Sequence, residues 1–172
     1  MIENDPEGGA RVLVEDYGAR LYATAFHLCL DEQAAEDLVQ RTLVRVVERI
    51  ASYKGDSTFF TWMCAILVNF WRMDVRRKAA NALVFDETPL EAPDERPNPG
   101  EIAAQDDEAA ALRRAVSRLP EVLRLVVVMH YFNGLSVPEI ARAVHAPEGT
   151  VYYRLHEARQ RIRKMLSKVF PE

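Results

Sequence analysis

Aromatic and basic side chains are interleaved in one continuous stretch of the chain, from Phe59 to Lys78. Aromatic rings stack on unpaired bases and basic groups neutralise phosphates, so this combination is typical of proteins that hold single-stranded nucleic acid. Rings on a helix also fill hydrophobic cores, and we divide these rings about evenly between packing and DNA contact. The groups best suited to a single strand are two rings, one amide and a basic helix end, namely Phe59, Trp62, Asn69, Arg76, Arg77 and Lys78.

A second stretch, residues 148–169, carries many basic side chains on a helix with one apolar side. Its apolar residues recur at steps of four and three, as one face of a helix requires: Val151, Leu155, Ala158, Ile162, Met165 and Val169. The opposite face carries Tyr153, His156, Glu157, Gln160 and Lys164, and the first four of these are expected to approach base edges. Its flanks carry Arg154, Arg159, Arg161 and Arg163, and we expect Arg154, Arg159 and Arg163 to bind phosphates.

A shorter helix and a tight corner precede this basic helix. Ser136 is a good N-cap and Glu139 completes a capping box, while His145-Ala146-Pro147 ends the short helix. A short helix, a corner and a basic second helix form a helix-turn-helix, whose second helix enters the major groove of duplex DNA. An ordinary helical hairpin with solvated arginines has the same spacing, and this alternative stays open from the pattern alone.

Charge is distributed very unevenly around a formal net charge of −4. The segment from Ala109 to Phe170 contains eleven basic and four acidic residues, whereas the segment from Ala79 to Glu108 contains nine acidic residues and one arginine. The acidic segment also contains four prolines and cannot bury enough apolar surface to fold alone, which predicts a linker. The mean charge therefore hides a basic module beside an acidic strap.

Helical periodicity also describes the rest of the chain, with helices at about 8–30, from Asp31 to Ile50, and from Asp56 or Ser57 to Lys78. We therefore predict an all-α protein with two small helical domains, 8–78 and 106–170, joined by a flexible acidic linker at 79–105. Cys29 and Cys64 lie in apolar helical stretches and are expected to be buried free thiols.

Several functional classes find no support in the sequence. No glycine-rich phosphate loop, nucleophile–base pair or Cys/His metal spacing stands out, so we expect no catalytic residues, no metal and no cofactor. No apolar run approaches the roughly 18 residues of a membrane span, and residues 1–12 carry no apolar leader. These patterns favour a cytoplasmic protein without membrane insertion.

Two stretches resemble the extracytoplasmic-function (ECF) sigma factors of the sigma-70 family. Residues 35–78 resemble sigma region two, and residues 111–166 resemble sigma region four, in the order and spacing of that family. The resemblance implies a dissociable subunit that brings bacterial core RNA polymerase to promoter DNA and helps to open it. It also implies an anti-sigma protein as a partner.

The resemblance assigns roles to three sets of residues. The segment that docks on the clamp helices of the largest polymerase subunit corresponds to Glu36, Asp37, Leu38, Gln40 and Arg41. The segment that opens and holds the minus-ten element adds Ser57 and Thr58 to the single-strand candidates above. The minus-thirty-five reader, which also faces the polymerase flap, corresponds to Thr150, Tyr152, Tyr153, Arg154, His156, Glu157, Arg159, Gln160 and Arg163.

The chain departs from the family pattern at a few of these positions. Arg41 stands where an acid is common, and His145 stands at the usual corner glycine, where histidine tolerates positive φ. Tyr152, Tyr153 and Glu157 replace small or basic residues, so no promoter sequence is assigned. Two other functions fit less well: a sigma-like decoy that only binds an anti-sigma protein, and a plain helix-turn-helix regulator.

Overall fold

Seven α-helices make up most of the described part of the protein. The structure, a computed structural model, describes residues 12–85 and 107–167, and these contain no strand. The helices are α1 (Ala19–Cys29), α2 (Glu32–Arg49), α3 (Phe59–Phe85), α4 (Asp107–Ser117), α5 (Glu121–Val127), α6 (Val137–Val144) and α7 (Glu148–Leu166). π-helical turns at Val14–Gly18 and Val128–Phe132 lead into α1 and extend α5. The all-α prediction is confirmed.

Side-chain caps explain where two helices of the first half begin. Asp31 caps α2, as predicted, because its Oδ1 accepts the Ala34 N–H at 2.8 Å. The cap of α3 is Thr58, whose Oγ1 accepts the Thr61 N–H at 3.1 Å, and the prediction of Asp56 or Ser57 is wrong. The helix starts at Phe59, so only the hydroxyl directly before it reaches that unpaired donor.

Helix α3 continues past Lys78, where the first domain was expected to end. It runs to Phe85, because the alanines and leucine that follow Lys78 favour helix and the first proline comes only at Pro89. The predicted linker boundary at Ala79 is therefore wrong by one and a half to two turns of helix. The described residues do not include 8–11, 86–106 and 168–170 of the predicted domains and linker. Val169, the last residue of the predicted apolar stripe, is among these.

The two halves of the chain, 12–85 and 107–167, share one hydrophobic core. Leu21, Leu38 and Met63 from the N-terminal half belong to the same buried cluster as Met129 and Ile140 from the C-terminal half. A smaller cluster, between α4, α5 and α7, belongs to the C-terminal half alone: Val116, Leu119, Leu123, Val127 and Ala158. The sequence predicted two modules, and the structure packs these modules directly against each other.

Both cysteines are free thiols, as predicted. Cys64 is fully buried and Cys29 is partly buried. Burial raises the pKa of the Cys29 thiol to about 11 and that of Cys64 to about 12, so both stay protonated and unreactive near neutral pH.

Candidate nucleic-acid interface

The predicted apolar stripe anchors α7 and sets which face of this helix meets solvent. Val151, Leu155 and Ala158 are buried, and Ile162 and Met165 pack against the smaller core cluster. The exposed surface then carries most of the predicted duplex contacts: Tyr152, Tyr153, His156, Arg159, Gln160 and Arg163. The two tyrosines are 59% and 65% exposed, which is unusual for side chains of this size and leaves their rings available to a ligand.

Three predicted duplex contacts are less available. Thr150 and Arg154 are partly buried on the sides of α7. The Glu157 carboxylate accepts a hydrogen bond from Arg161 Nη2 at 2.6 Å, one turn along the same helix. An acidic group bound in this way presents less free charge to DNA, so Glu157 and Arg161 form a neutral pair on the edge of the reading face.

The corner before α7 is built as the sequence predicts. Glu139 Oε2 accepts hydrogen bonds from the Ser136 N–H at 2.9 Å and from the Ser136 hydroxyl at 2.7 Å. These bonds lower the pKa of the Glu139 carboxyl, although its partial burial opposes the shift. His145 ends α6 at φ 51° and ψ 51°, the left-handed conformation expected at this position.

The basic end of α3 is open to solvent. Asn69, Arg76, Arg77 and Lys78 are all exposed, so each is available to a nucleic-acid strand. The aromatic side chains of α3 are less accessible than this basic end. Phe60 and Trp71 are 5% exposed and belong to the shared core, and Phe59, Trp62 and Phe70 are partly buried against it.

Phe59 and Trp62 lie between these extremes, in a small aromatic cluster beside the loop that precedes α3. The Phe59 ring lies 5.5 Å from Trp62 and 5.2 Å from Tyr53, and Tyr53 is 5.5 Å from Trp62. The Tyr53 hydroxyl donates to the Ser57 carbonyl at 2.5 Å and ties the cluster to the loop. Ser57 is partly exposed and Thr58 exposed, so the loop presents polar groups next to a ring surface.

Some residues of the predicted polymerase-docking face of α2 are exposed, whereas others are buried or bonded within the protein. Glu36, Asp37 and Gln40 are exposed, whereas Leu38 is completely buried in the shared core. The spacing of Leu38 with Thr42 and Val46 is that of the inner face of the helix, so the direct-contact assignment of Leu38 does not fit this structure.

Arg41 is also engaged within the protein. Its Nη1 and Nη2 donate to the two carboxylate oxygens of Asp74 on α3, at 3.2 and 2.5 Å, and its Nε lies 2.9 Å from Asp37 Oδ2. Bonding to Asp74 is the main reason that the pKa of Arg41 is raised. The arginine that departs from the family pattern therefore joins α2 to α3, a pairing that residues so distant in sequence do not reveal.

The described residues, 12–85 and 107–167, contain neither a metal-binding group nor a membrane-spanning helix. Among the residues that the structure describes, no group of three or more His, Cys, Asp or Glu side chains is placed to hold a metal ion. Within the same ranges, no helix has the length and apolar character needed to cross a bilayer.

Comparison with known families explains why these two surfaces occur in one chain. Residues 13–81 match Sigma-70 region 2, and residues 109–162 match Sigma-70, region 4. The chain is an ECF sigma factor of the sigma-70 family. Sigma factors of this type direct RNA polymerase to specific promoters, and the family is one of non-catalytic initiation factors.

Curated relatives support the same family. The chain is 34% identical to the ECF RNA polymerase sigma factor SigE of Mycolicibacterium smegmatis over 157 residues, which cover 91% of this chain and 61% of that protein. It is 26% identical to RNA polymerase sigma-H factor of Pseudomonas aeruginosa over 183 residues, covering 100% and 95% of the two chains. The chain thus spans less than two thirds of the length of SigE but almost all of sigma-H.

A solved structure resembles this sigma factor in fold as well as in sequence. The sigma factor RpoE from Bartonella quintana, crystallised with the anti-sigma factor NepR, matches with a TM-score of 0.71 and 25% identity over 91% of this chain and 95% of that one. The fold of CnrH, solved with the cytosolic domain of CnrY, matches with a TM-score of 0.64.

Proposed function

We propose that this sigma factor holds the minus-ten element of a promoter with α3 and the loop before it, and reads the minus-thirty-five element with α7. The observation that carries the proposal is the exposure of two separate nucleic-acid surfaces within the two matched sigma regions. One surface combines polar loop groups, ring edges and a basic helix end, which suits a single strand. The other is a helix face rimmed by arginines, which suits the major groove.

Polymerase docking is assigned to the exposed outer face of α2. Glu36, Asp37 and Gln40 are exposed on this face, and Asp37 also forms an ion pair with Arg41 one turn along the helix. Leu38 supports the face from within the core, and Arg41 holds α2 on α3. We therefore assign these two residues to positioning the docking helix rather than to direct contact with the polymerase.

Transcription with purified components tests the main proposal. The protein and bacterial core polymerase should together give run-off transcripts from promoters of the source organism, whereas either alone should give none. A decoy that only binds an anti-sigma protein would bind its partner and give no transcript, and a plain helix-turn-helix regulator would need no exogenous core enzyme to act on DNA. If protein and core polymerase together give no transcript, the proposed promoter function is wrong.

Promoter opening tests the assignment of α3. Asn69→Ala and Arg76→Ala remove exposed side chains, so helicity and core-polymerase binding should persist while opening fails. Permanganate reactivity of thymines near the start site reports the opened strands. Arg49→Ala, which removes an exposed arginine from the end of α2, is the matched control and should open promoters normally. Normal opening by both test variants would make α3 a scaffold only.

Salt dependence tests the assignment of α7. Arg159 and Arg163 are exposed on the flanks of the reading face and are assigned to phosphates. Each Arg→Ala change should weaken duplex binding similarly for all sequences and reduce the salt slope by about one. Tyr153→Ala or Gln160→Ala should instead alter sequence preference at one position, by ~1–3 kcal/mol. Unchanged affinity and slope in the double arginine variant would show that another face docks.

Partners and location follow from membership of the family. An anti-sigma protein is a proposed partner, because the Bartonella relative was crystallised with one. A subunit that joins RNA polymerase on the chromosome acts in the cytoplasm, and we assign it no enzymatic activity of its own. Co-purification of the tagged chain from its host should recover core polymerase subunits and, before induction, the anti-sigma protein.

A further inference from the structure

Tyr153 lies at the centre of the exposed face of α7. Val151, Leu155 and Ala158 hold the opposite side of this helix in the core. At about 100° per residue, Tyr153 points within roughly 20° of the direction opposite to their mean direction. Gln160 lies within about 20° of Tyr153 on the same face. The tyrosine therefore points in the same direction as a residue that the proposed function assigns to base edges.

Packing of the fold does not account for this ring. Tyr153 is 65% exposed. In the part of the chain that the structure describes, its hydroxyl has no hydrogen-bond partner and its ring has no aromatic neighbour. Tyr53 shows the opposite case, because its ring packs on those of Phe59 and Trp62 and its hydroxyl donates to the Ser57 carbonyl. The ring of Tyr153 is therefore an apolar surface that only a ligand can cover.

The neighbouring Tyr152 occupies a different position on the helix. It is 59% exposed but lies about 100° away from Tyr153, on the flank that carries Arg159 and Arg163. These arginines follow it by about two and three turns of helix, so all three side chains point in nearly the same direction. The proposed function places this flank on phosphates. On that assignment Tyr152 meets the sugar–phosphate backbone, and Tyr153 is the tyrosine that meets the bases.

The chemistry of the reading face distinguishes Tyr153 from its neighbours. The other groups of that face are polar or charged: His156, Glu157, Gln160 and Lys164. Such groups recognise bases by hydrogen bonds, whereas a ring face gains by burying apolar surface. The C5-methyl of thymine is the one apolar group among the base edges of the major groove, and apolar side chains contact it. Polar edge groups of the other bases lose water against a ring face without gaining a partner. The ring therefore favours thymine.

We propose that Tyr153 selects a thymine of the minus-thirty-five element through contact of its ring face with the C5-methyl group in the major groove. Recognition helices contact base edges with their N-terminal residues, and Tyr153 is the sixth residue of α7, which begins at Glu148. Gln160 lies about 10 Å further along the helix axis, a distance of about three base pairs, so the two residues read different base pairs. This inference rests on the proposed function of α7 and adds the base that it reads.

Replacement of thymine by deoxyuridine tests this contact, because it removes the methyl group and leaves the base pair intact. The full chain is combined with bacterial core polymerase on a promoter of the source organism that gives run-off transcripts. Each thymine of the minus-thirty-five element, on either strand, is replaced in turn, and the affinity of the complex for each duplex is measured by competition. At one thymine the wild-type affinity should fall about fourfold, as expected for loss of one buried methyl-sized group. Deoxyuridine between the two promoter elements is the DNA control and should have no effect.

Three variants assign the effect to the ring of Tyr153. Tyr153→Ala should bind the thymine and deoxyuridine duplexes equally, whereas Tyr153→Phe, which keeps the ring and loses the hydroxyl, should retain the fourfold ratio. Tyr131→Ala is the protein control and should also retain this ratio, because Tyr131 is 54% exposed but lies outside α7.

The outcomes separate this inference from the proposed function. Equal wild-type affinity for thymine and deoxyuridine at every position overturns the inference and leaves the promoter function standing. The same holds if Tyr153→Ala retains the ratio, if Tyr153→Phe loses it, or if the minus-thirty-five element consists of G·C pairs alone. If the wild-type chain and core polymerase give no transcript from any promoter, the proposed function is wrong and this inference is wrong with it.

Discussion

At the scale of single residues, Arg41 shows how tertiary contact changes the role of a side chain. The resemblance to the family assigns it to a charged helix face that meets the polymerase. In the structure its guanidinium is shared between Asp37 on α2 and Asp74 on α3, and both side chains of the Arg41–Asp74 pair are about one third exposed. The pair is therefore partly screened by solvent, and its contribution to stability is smaller than that of a fully buried pair.

A double-mutant cycle measures this contribution. Arg41→Met and Asp74→Asn should each destabilise the protein, with a coupling energy of about 1 kcal/mol, because the two-point geometry of the pair is lost in either variant. Chemical denaturation of the four chains gives the cycle. Core-polymerase affinity is measured on the same proteins. A coupling energy near zero, together with a large loss of polymerase binding in Arg41→Met alone, would indicate that Arg41 contacts the polymerase directly.

His27 makes the junction between the halves sensitive to pH. Its ring centroid lies 4.2 Å from that of Phe132, and burial is the main reason that the pKa of His27 is lowered, with the nearby Arg113 contributing. The unfolded chain therefore binds this proton more readily than the folded one. The stabilising effect of neutral His27 is fully present above pH ~6.5 and is lost as pH falls through the lower folded-state pKa.

Stability measured by urea denaturation between pH 5 and 8 should decrease towards the acidic end of the range. His27→Gln, which cannot take up a proton, should flatten this part of the profile. His156→Gln is the control, since His156 faces solvent on α7. Identical slopes for wild type and His27→Gln would show that other groups carry the dependence.

At the scale of elements, the corner between α6 and α7 holds a strained residue. His145 has φ 51°, a conformation that glycine adopts without the clash of a Cβ atom. His145→Gly should raise the free energy of unfolding by about 0.5–1 kcal/mol, the balance of relieved strain and greater unfolded-state entropy. Gly134→Ala is the converse control: Gly134 has φ +70°, so an added Cβ should destabilise the protein. A destabilised His145→Gly variant would mean that the histidine side chain makes a needed contact.

Local elements were predictable where the signal lies within a few residues. The capping box of Ser136 and Glu139, the Asp31 cap and the apolar stripe of α7 were predicted from short patterns, and the structure confirms them. The positive φ of His145, which the resemblance to the family implied, is also confirmed. Predictions failed where the deciding contact is distant or competes with another group. The Asp74 partner of Arg41 lies on another helix. Arg72 and Arg124 bind backbone carbonyls of the other half of the chain, and such acceptors leave no pattern in the sequence.

At the scale of the whole molecule, the shared core couples the two halves. Met129 is fully buried in the cluster that includes residues of both halves, whereas Leu123 is 3% exposed in the cluster that belongs to the C-terminal half alone. Truncating either side chain removes similar apolar contact and should cost about 2–5 kcal/mol. The two variants should nevertheless lose protection against hydrogen exchange in different helices.

Hydrogen exchange detects this difference peptide by peptide. Met129→Ala should reduce the protection of α1 and α3 as well as that of α5, because loosening the shared core also exposes the N-terminal half. Leu123→Ala should reduce protection of α4, α5 and α7 and leave α3 close to wild type, since its cluster contains no residue of the N-terminal half. If Met129→Ala leaves α1 and α3 fully protected, the two halves are energetically independent despite their shared core.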